Sequence, residues 1–320
     1  MAATAGDRIR IIAGTAGRDL GQAICAELGR PLSESFTTKY YNGCTYVQVR
    51  ENVREADVFV VQSSTEPVND QLMELLMLID ACKGASAQRV TAVLPIYPYQ
   101  QSDWKDQPRI PITARLVADL LLAAGADRVL TIDLHAAQIQ GFMSCPCDNL
   151  TALPLVAAAF REQGLDMSQV VAVATDVGRA KLVRRYARRL DLPLAIIDKE
   201  RLDERTVRAL NIIGDVGGKD AILFDDIIGT GGSLISAANL LREHGARRIF
   251  AGAVHAVLAT GAVERLEASV FEGIVITDTV PSQQKLEGTT SFRVLSVAPL
   301  LAEAIRRIHI GESVSALFDD

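Results

Sequence analysis

The chain has 320 residues, 49% hydrophobic and 22% charged, with 33 basic and 39 acidic side chains and a net charge of −6. That is apolar material for about two cores. It excludes a disordered chain, and it excludes one that holds nucleic acid by bulk charge. The first apolar stretch, R-I-R-I-I-A-G, carries charges inside it, unlike a signal peptide. Later runs such as L-V-A-D-L-L-L-A-A-G are broken by charge well short of a membrane span. A cytoplasmic protein is expected, with no nucleic acid and no membrane as partner.

Taken in chain order, short β-rich runs alternate with amphipathic helical patterns. R-I-R-I-I-A-G precedes D-L-G-Q-A-I-C-A-E-L-G, and D-V-F-V-V-Q precedes N-D-Q-L-M-E-L-L-M-L-I-D-A-C-K. V-T-A-V-L-P and R-V-L-T-I-D-L follow. From about residue 154 the pattern restarts: a helix, V-V-A-V-A-T-D, K-L-V-R-R-Y-A-R-R-L, L-A-I-I-D-K, A-I-L-F-D-D, a further helix and I-F-A-G-A-V-H-A-V-L. Alternation of this kind builds parallel sheets from βα units. Two α/β domains are expected, with D-N-L-T-A-L-P as the hinge and a final strand and helix whose packing partner the pattern does not name. Five scattered cysteines fit a reducing compartment, and Cys145-Pro-Cys147 reads as incidental thiols.

The densest chemistry lies in A-I-L-F-Asp225-Asp226-I-I-Gly229-Thr230-Gly231-Gly232-Ser233. A strand is expected to end in two carboxylates, and a turn of small residues then opens a helix. Glycines let backbone N–H groups approach an oxyanion, and the helix N-terminus adds its positive dipole end. The carboxylates suit the two hydroxyls of a furanose, or a metal on it. The order differs from a Walker loop, which needs Gly-Lys-Ser/Thr.

This loop resembles the sugar-phosphate loop of phosphoribosyltransferases, and the rest of the chain narrows the resemblance. T-I-D-L-His135-A-A-Q-I-Q-G-F, E-N-V-R-E-A-D-V-F-V-V-Q, N-D-Q-L-M-E-L-L, I-I-D-K-E-R, N-I-I-G-D-V-G-G-K, T-D-T-V-P and G-E-S-V-S run in order from about residue 8 to 318. Together they resemble the ribose-phosphate diphosphokinases, the phosphoribosyl diphosphate (PRPP) synthetases. The resemblance implies an α/β fold of two phosphoribosyltransferase-like domains, each a mainly parallel sheet flanked by helices. Residues 1–149 would carry the ATP loops and 150–304 the sugar-phosphate loop, with 305–320 packing back on the first domain.

It further implies ATP and ribose 5-phosphate as substrates, Mg²⁺ as cofactor and a homo-oligomer, hexameric or dimer-based. Lys199 and Arg201 match the two cations of the family's catalytic hairpin, where fixed positive charge would neutralise the migrating diphosphate. His135 and Asp176 match metal-contacting residues. Tyr40, Asn42, Cys44, Gln101, Ser102, Asp103 and Asp106, with His135, fall at ATP-binding positions. Asp225, Asp226, Gly229, Thr230, Gly231, Gly232 and Ser233 fall at sugar-phosphate positions.

Several of these positions depart from the family pattern. Tyr-Ala-Arg-Gln-Asp becomes Tyr99-Gln100-Gln101-Ser102-Asp103, which exchanges a phosphate-clamping Arg for Gln101. Cys44 replaces a Glu in the loop around residues 40–45, and Gly229 stands where the family usually has Asp. The function implied is transfer of the β,γ-diphosphate of ATP to the anomeric hydroxyl of ribose 5-phosphate. Two alternatives stay open: the same chemistry on another sugar phosphate such as a ketohexulose 6-phosphate, and a non-catalytic regulatory partner of a PRPP synthetase.

Overall fold

The computed structural model describes residues 8–201 and 207–317, with residues 199–201 and 207–210 described by their strand pairing alone. Its α/β chain forms two compact units. One comprises the chain up to Thr151, Thr279–Pro281 and the chain from Val297; the other comprises Ala152–Asp278 and Ser282–Ser296.

In the first unit β1 (Ile9–Ala13) leads to α1 (Arg18–Glu27) and to a hairpin of β2 (Ser35–Lys39) and β3 (Thr45–Val49). Then come β4 (Asp57–Val61), α2 (Val68–Gly84), β5 (Arg89–Leu94), α3 (Thr113–Ala123), β6 (Arg128–Ile132) and β7 (Cys147–Leu150). The sheet order is β1-β4-β5-β6-β7, with every neighbour parallel. β4 is buried at every position, as a parallel strand covered on both faces requires. The D-N-L stretch read as part of a hinge is the last strand of this sheet. Its residues are held by pairing with β6, Thr131 against Asn149 and Ile132 against Leu150, rather than by an apolar run of their own.

The second unit contains α4 (Leu153–Glu162), β8 (Val170–Ala174), α5 (Ala180–Leu190), β9 (Leu194–Arg201) and β10 (Val207–Ile213). β11 (Asp220–Ile228), α6 (Gly232–Glu243), β12 (Ile249–Ala256), α7 (Ala262–Glu267), β13 (Gly273–Thr277) and β14 (Phe292–Leu295) complete it. The order β10-β9-β8-β11-β12-β13-β14 is parallel except where β9 and β10 run antiparallel.

Aromatic packing fixes α5 against this sheet. Tyr186 stacks on Phe224 at 4.0 Å between centroids, and Phe160 meets the same ring edge-on at 5.5 Å. Such pairs add about 0.5–1.5 kcal/mol beyond area burial. A Cβ on Gly252 would lie 2.8 Å from the Phe160 ring, so glycine is required where β12 passes this cluster.

The last helix, α8 (Ala298–Ile310), packs on α1 in the first unit, although β14 just before it belongs to the second sheet. Its C-terminal end is tied to the start of the first sheet. His309 Nδ1 lies 2.8 Å from Asp57, while Arg89 pairs with Asp57 and donates to the Ile308 carbonyl at 3.0 Å. No helix among the described residues is long and apolar enough to cross a membrane.

Candidate functional site

The candidate residues fall into one group in each unit. In the first unit Gln101, Ser102, Asp103, Asp106 and His135 follow the carboxyl ends of parallel strands, where open α/β sheets place their ligands, while Tyr40, Asn42 and Cys44 are on the separate β2–β3 hairpin. After β6 the chain turns sharply at Asp133, whose φ of 40° is in the left-handed region. β7 and the residue after it brace this turn. Asp133 N donates to the Leu150 carbonyl at 2.8 Å, Thr151 Oγ1 to Asp133 Oδ1 at 2.8 Å, and Leu134 N to Asn149 Oδ1 at 3.0 Å. His135 is thereby presented half-buried at the head of the turn.

The loop after β5 is bound to that turn by two amides. Gln100 Oε1 accepts the His135 backbone N–H at 3.0 Å, and Gln138 Nε2 donates to Asp103 Oδ2 at 2.7 Å. Asp103 is therefore buried as a structural acceptor, while Gln101 and Asp106 are exposed. Ser102 holds the start of α3, its Oγ lying 3.3 Å from Thr113 N and 3.2 Å from Thr113 Oγ1.

Tyr40, Asn42 and Cys44 lie at the tip of the β2–β3 hairpin. Asn42 Oδ1 accepts the Cys44 N–H at 3.1 Å, which sets the turn. Tyr40 is 53% exposed with its ring edge-on to Tyr46 at 5.7 Å, and Cys44 is exposed as well. Of the other thiols, Cys147 is pushed up to about 12 by burial and Cys145 is raised for the same reason. Both stay protonated near neutrality, which suits incidental thiols.

A cavity of about 400 Å³ lined by Arg8, Asp57, Gln88, Arg89, Asp127 and His309 lies where β1, β4 and β5 begin, at the opposite end of the sheet. None of its residues is a candidate.

In the second unit Asp225 and Asp226 lie within β11 rather than at its end. The strand continues to Ile228 because β12 runs beside it, Ile227 opposite His255 and Ile228 opposite Ala256. On the other side β8 stops pairing at Ala174 opposite Phe224, which leaves an open edge next to the two carboxylates. The turn after β8 fills that edge. Asp176 caps it, accepting the Arg179 backbone N–H at 3.1 Å. Arg179 then reaches both carboxylates, Nε at 3.1 Å from Asp225 Oδ1 and a terminal nitrogen at 3.0 Å from Asp226 Oδ2. Burial and the neighbouring Asp226 push Asp225 up to about 7, against the opposing pull of Arg179.

The small-residue turn opens α6 as its composition suggests. Gly231 has φ 77°, and a Cβ there would meet Leu266 at 3.1 Å, so only glycine serves. The N-cap Gly231 has no side chain to offer the helix, and Thr230 Oγ1 accepts the first helical N–H, that of Gly232, in a long contact of 3.4 Å. Arg265 donates to the Thr230 carbonyl at 2.8 Å and steadies the turn, and Ser233 is exposed. Gly229 needs no special backbone, and a Cβ there would meet nothing within 4 Å. Lys199 and Arg201 are on β9, with Lys199 opposite Ala209 and Arg201 opposite Val207; their side chains lie outside the described residues.

Comparison with known proteins now bears on these two groups. The family model for the N-terminal domain of ribose phosphate pyrophosphokinase matches residues 9–125, and that for the phosphoribosyl synthetase-associated domain matches residues 204–319. A ribose-phosphate pyrophosphokinase of Rhizobium meliloti is 46% identical over 97% of this chain and 100% of its own length. One from Caldanaerobacter subterraneus is 48% identical over 97% and 98%.

The chain belongs to the ribose-phosphate pyrophosphokinase family.

The crystal structure of phosphoribosylpyrophosphate synthetase from Mycobacterium smegmatis shares its fold at a TM-score of 0.89 and 40% identity, covering 95% of this chain and 99% of that one. Within a ribose-phosphate pyrophosphokinase frame, two residues that sequence reading passed over stand out. Gln100 sits beside Gln101 in the loop after β5, and Arg179 follows Asp176 by one helical turn. The signals available were a second glutamine in Y-Q-Q-S and a cation at the start of a helix. Neither names its partner.

Proposed function

We propose that this chain transfers the β,γ-diphosphate of ATP to the anomeric hydroxyl of ribose 5-phosphate, giving AMP and PRPP. The observation that carries the reading is full-length identity of 46–48% to ribose-phosphate pyrophosphokinases. In-line diphosphate transfer asks a protein mainly to position two substrates and neutralise charge.

The first unit supplies the nucleotide side. His135, held by Gln100, points to a role at the ATP phosphates. Tyr40 offers an exposed ring face to the base, with Asn42 and Cys44 beside it. Gln101, Ser102, Asp103 and Asp106 shape the loop, with Ser102 and Asp103 acting through the contacts that hold it.

The second unit supplies the sugar side. The start of α6 with Gly229–Ser233 takes the 5-phosphate, and Asp225 and Asp226 take the ring hydroxyls. Lys199 and Arg201 neutralise the diphosphate as it leaves the α-phosphate.

Mg²⁺ is the cofactor we assign. When bound, it draws off phosphate charge; His135 in the first unit and Asp176 in the second are each a residue that would hold such an ion. An imidazole and a carboxylate fit a hard cation that arrives on substrate phosphates and keeps part of its water. Asp176 also caps its own turn through Oδ1, which fixes the carboxylate in place. A homo-oligomer is part of the same proposal, since the β2–β3 hairpin with its exposed Tyr40 and Cys44 suits contact with a neighbouring subunit.

The test is AMP release by the purified chain with ATP, Mg²⁺ and a panel of sugar phosphates. Ribose 5-phosphate is expected to give the fastest release. Faster turnover with a ketohexulose 6-phosphate would overturn the substrate assignment, and silence with every sugar would overturn the enzymatic reading.

A further inference from the structure

The amino-acid pattern around Asp225 and Asp226 leaves two occupants open, sugar hydroxyls or a metal ion on them. The structure puts a third group there. One guanidinium, that of Arg179, bridges the pair at 3.1 and 3.0 Å.

This cation is not a loose surface arm. Its side chain is 23% exposed, against 13% and 7% for the two carboxylates it joins. Its backbone N–H is fixed by Asp176, and it is the last residue of the short turn that enters α5. α5 is itself held to β11 by the stack of Tyr186 on Phe224, the residue just before Asp225. The length and direction of the Arg179 arm are therefore set from both ends.

The geometry points to Arg179 as a resident counter-cation that does for the Asp225–Asp226 pair what a divalent ion would otherwise do, so that the pair receives a sugar without needing metal. This rests on reading residues 225–233 as the sugar-phosphate site.

Adjacent buried carboxylates repel and need positive charge to stay ionised. Mg²⁺ would meet that need with a rigid octahedral shell and retained water. A guanidinium meets it with planar donors and no water, and it keeps its charge at every working pH. A dication entering the same oxygens would face the charge of Arg179 at close range, so each cation excludes the other. Mg²⁺ is thereby left to the nucleotide phosphates.

Calorimetric titration of the full chain with ribose 5-phosphate, without ATP, in excess EDTA and then in excess Mg²⁺, tests the assignment. The native chain is expected to bind with a Kd that agrees within about two-fold between the two conditions. Arg179→Gln is expected to bind roughly ten-fold or more weakly in EDTA and to recover in Mg²⁺, whereas Arg179→Lys stays within about three-fold of native.

Loss of native binding in EDTA would overturn the role, as would an Arg179→Gln variant that binds like native without metal. The EDTA comparison on the native chain needs no variant, so a folding defect in Arg179→Gln leaves the test intact. Failure of the native chain to bind ribose 5-phosphate in either condition would refute the sugar-site reading itself, and the Arg179 role with it.

Discussion

Gln100 carries the backbone N–H of His135 on its side-chain carbonyl at 3.0 Å, across 35 residues of sequence. The loop after β5 thus sets the height and direction of the turn after β6. Among the described residues, nothing hydrogen-bonds the buried Nε2 of the same Gln100. An orphaned buried donor costs about 1–3 kcal/mol, so the residue is poorly explained by stability alone.

Gln100→Ala separates the two effects. It deletes the carbonyl that holds His135, a loss of about 1 kcal/mol, and it also deletes the orphaned donor, a comparable gain. Thermal unfolding is expected to shift by only a few degrees. The kcat/KM for ATP is expected to fall about ten-fold, the equivalent of roughly 1.4 kcal/mol in the transition state. A large drop in Tm with unchanged kcat/KM would make Gln100 a packing residue.

Lys199→Ala addresses the diphosphate directly. If Lys199 neutralises the departing diphosphate as proposed, its removal is expected to lower kcat about 10²–10³-fold, with ATP affinity retained. Stopped-flow turnover and equilibrium ATP binding report the two halves separately. Full turnover in the variant would refute the role assigned to Lys199.

Asp220 gives a pH prediction. It is fully buried at the start of β11, paired with Arg247 at 2.8 Å and with Arg248. Burial alone would raise it, but the hydrogen bonds from the two guanidiniums prevail and hold it down at about 2. The folded value thus lies below the ordinary carboxylate value near 4. The pair's contribution is fully present above that ordinary value and is lost as pH falls from about 4 toward 2. With both arginines at least a third exposed, solvent screening limits it to on the order of 1–2 kcal/mol. Denaturant unfolding of native and Asp220→Asn chains across this range is expected to show a steeper loss of stability in the first than in the second, where Glu303, also held down to about 2 by its arginines, still contributes.

Gly229→Asp tests the choice of sugar. The backbone at Gly229 is ordinary and the space around a Cβ is open, so Gly229→Asp is expected to leave Tm within a few degrees of native. The added carboxylate narrows the approach to the loop. Its kcat/KM for ribose 5-phosphate relative to a ketohexulose 6-phosphate is therefore expected to rise. An unchanged ratio would remove Gly229 from the determinants of sugar choice.

The fold was largely legible because its parallel strands are apolar runs and its helices are amphipathic. β7 escaped because two of its four residues, Asp148 and Asn149, are polar and only β6 makes them a strand. Pattern alone did not say where α8 packs, because a helix's apolar face does not say which sheet it will cover; only the family resemblance pointed residues 305–320 to the first domain. At the candidate site, the Thr-Gly-Gly-Ser turn announced itself through local backbone demands. Gln100 and Arg179 did not, since their partners are 35 and 46–47 residues away and a polar side chain in a loop reads first as solvated. Placing the two aspartates at the end of β11 overlooked β12, which carries that strand two residues further.

Transfer of an intact diphosphate is read out by ³¹P NMR of the chain with ATP, Mg²⁺ and ribose 5-phosphate. AMP is expected to appear in step with a sugar-linked diphosphate that retains its 5-phosphate. ADP with a second sugar monophosphate, or ATP left unchanged, would contradict it.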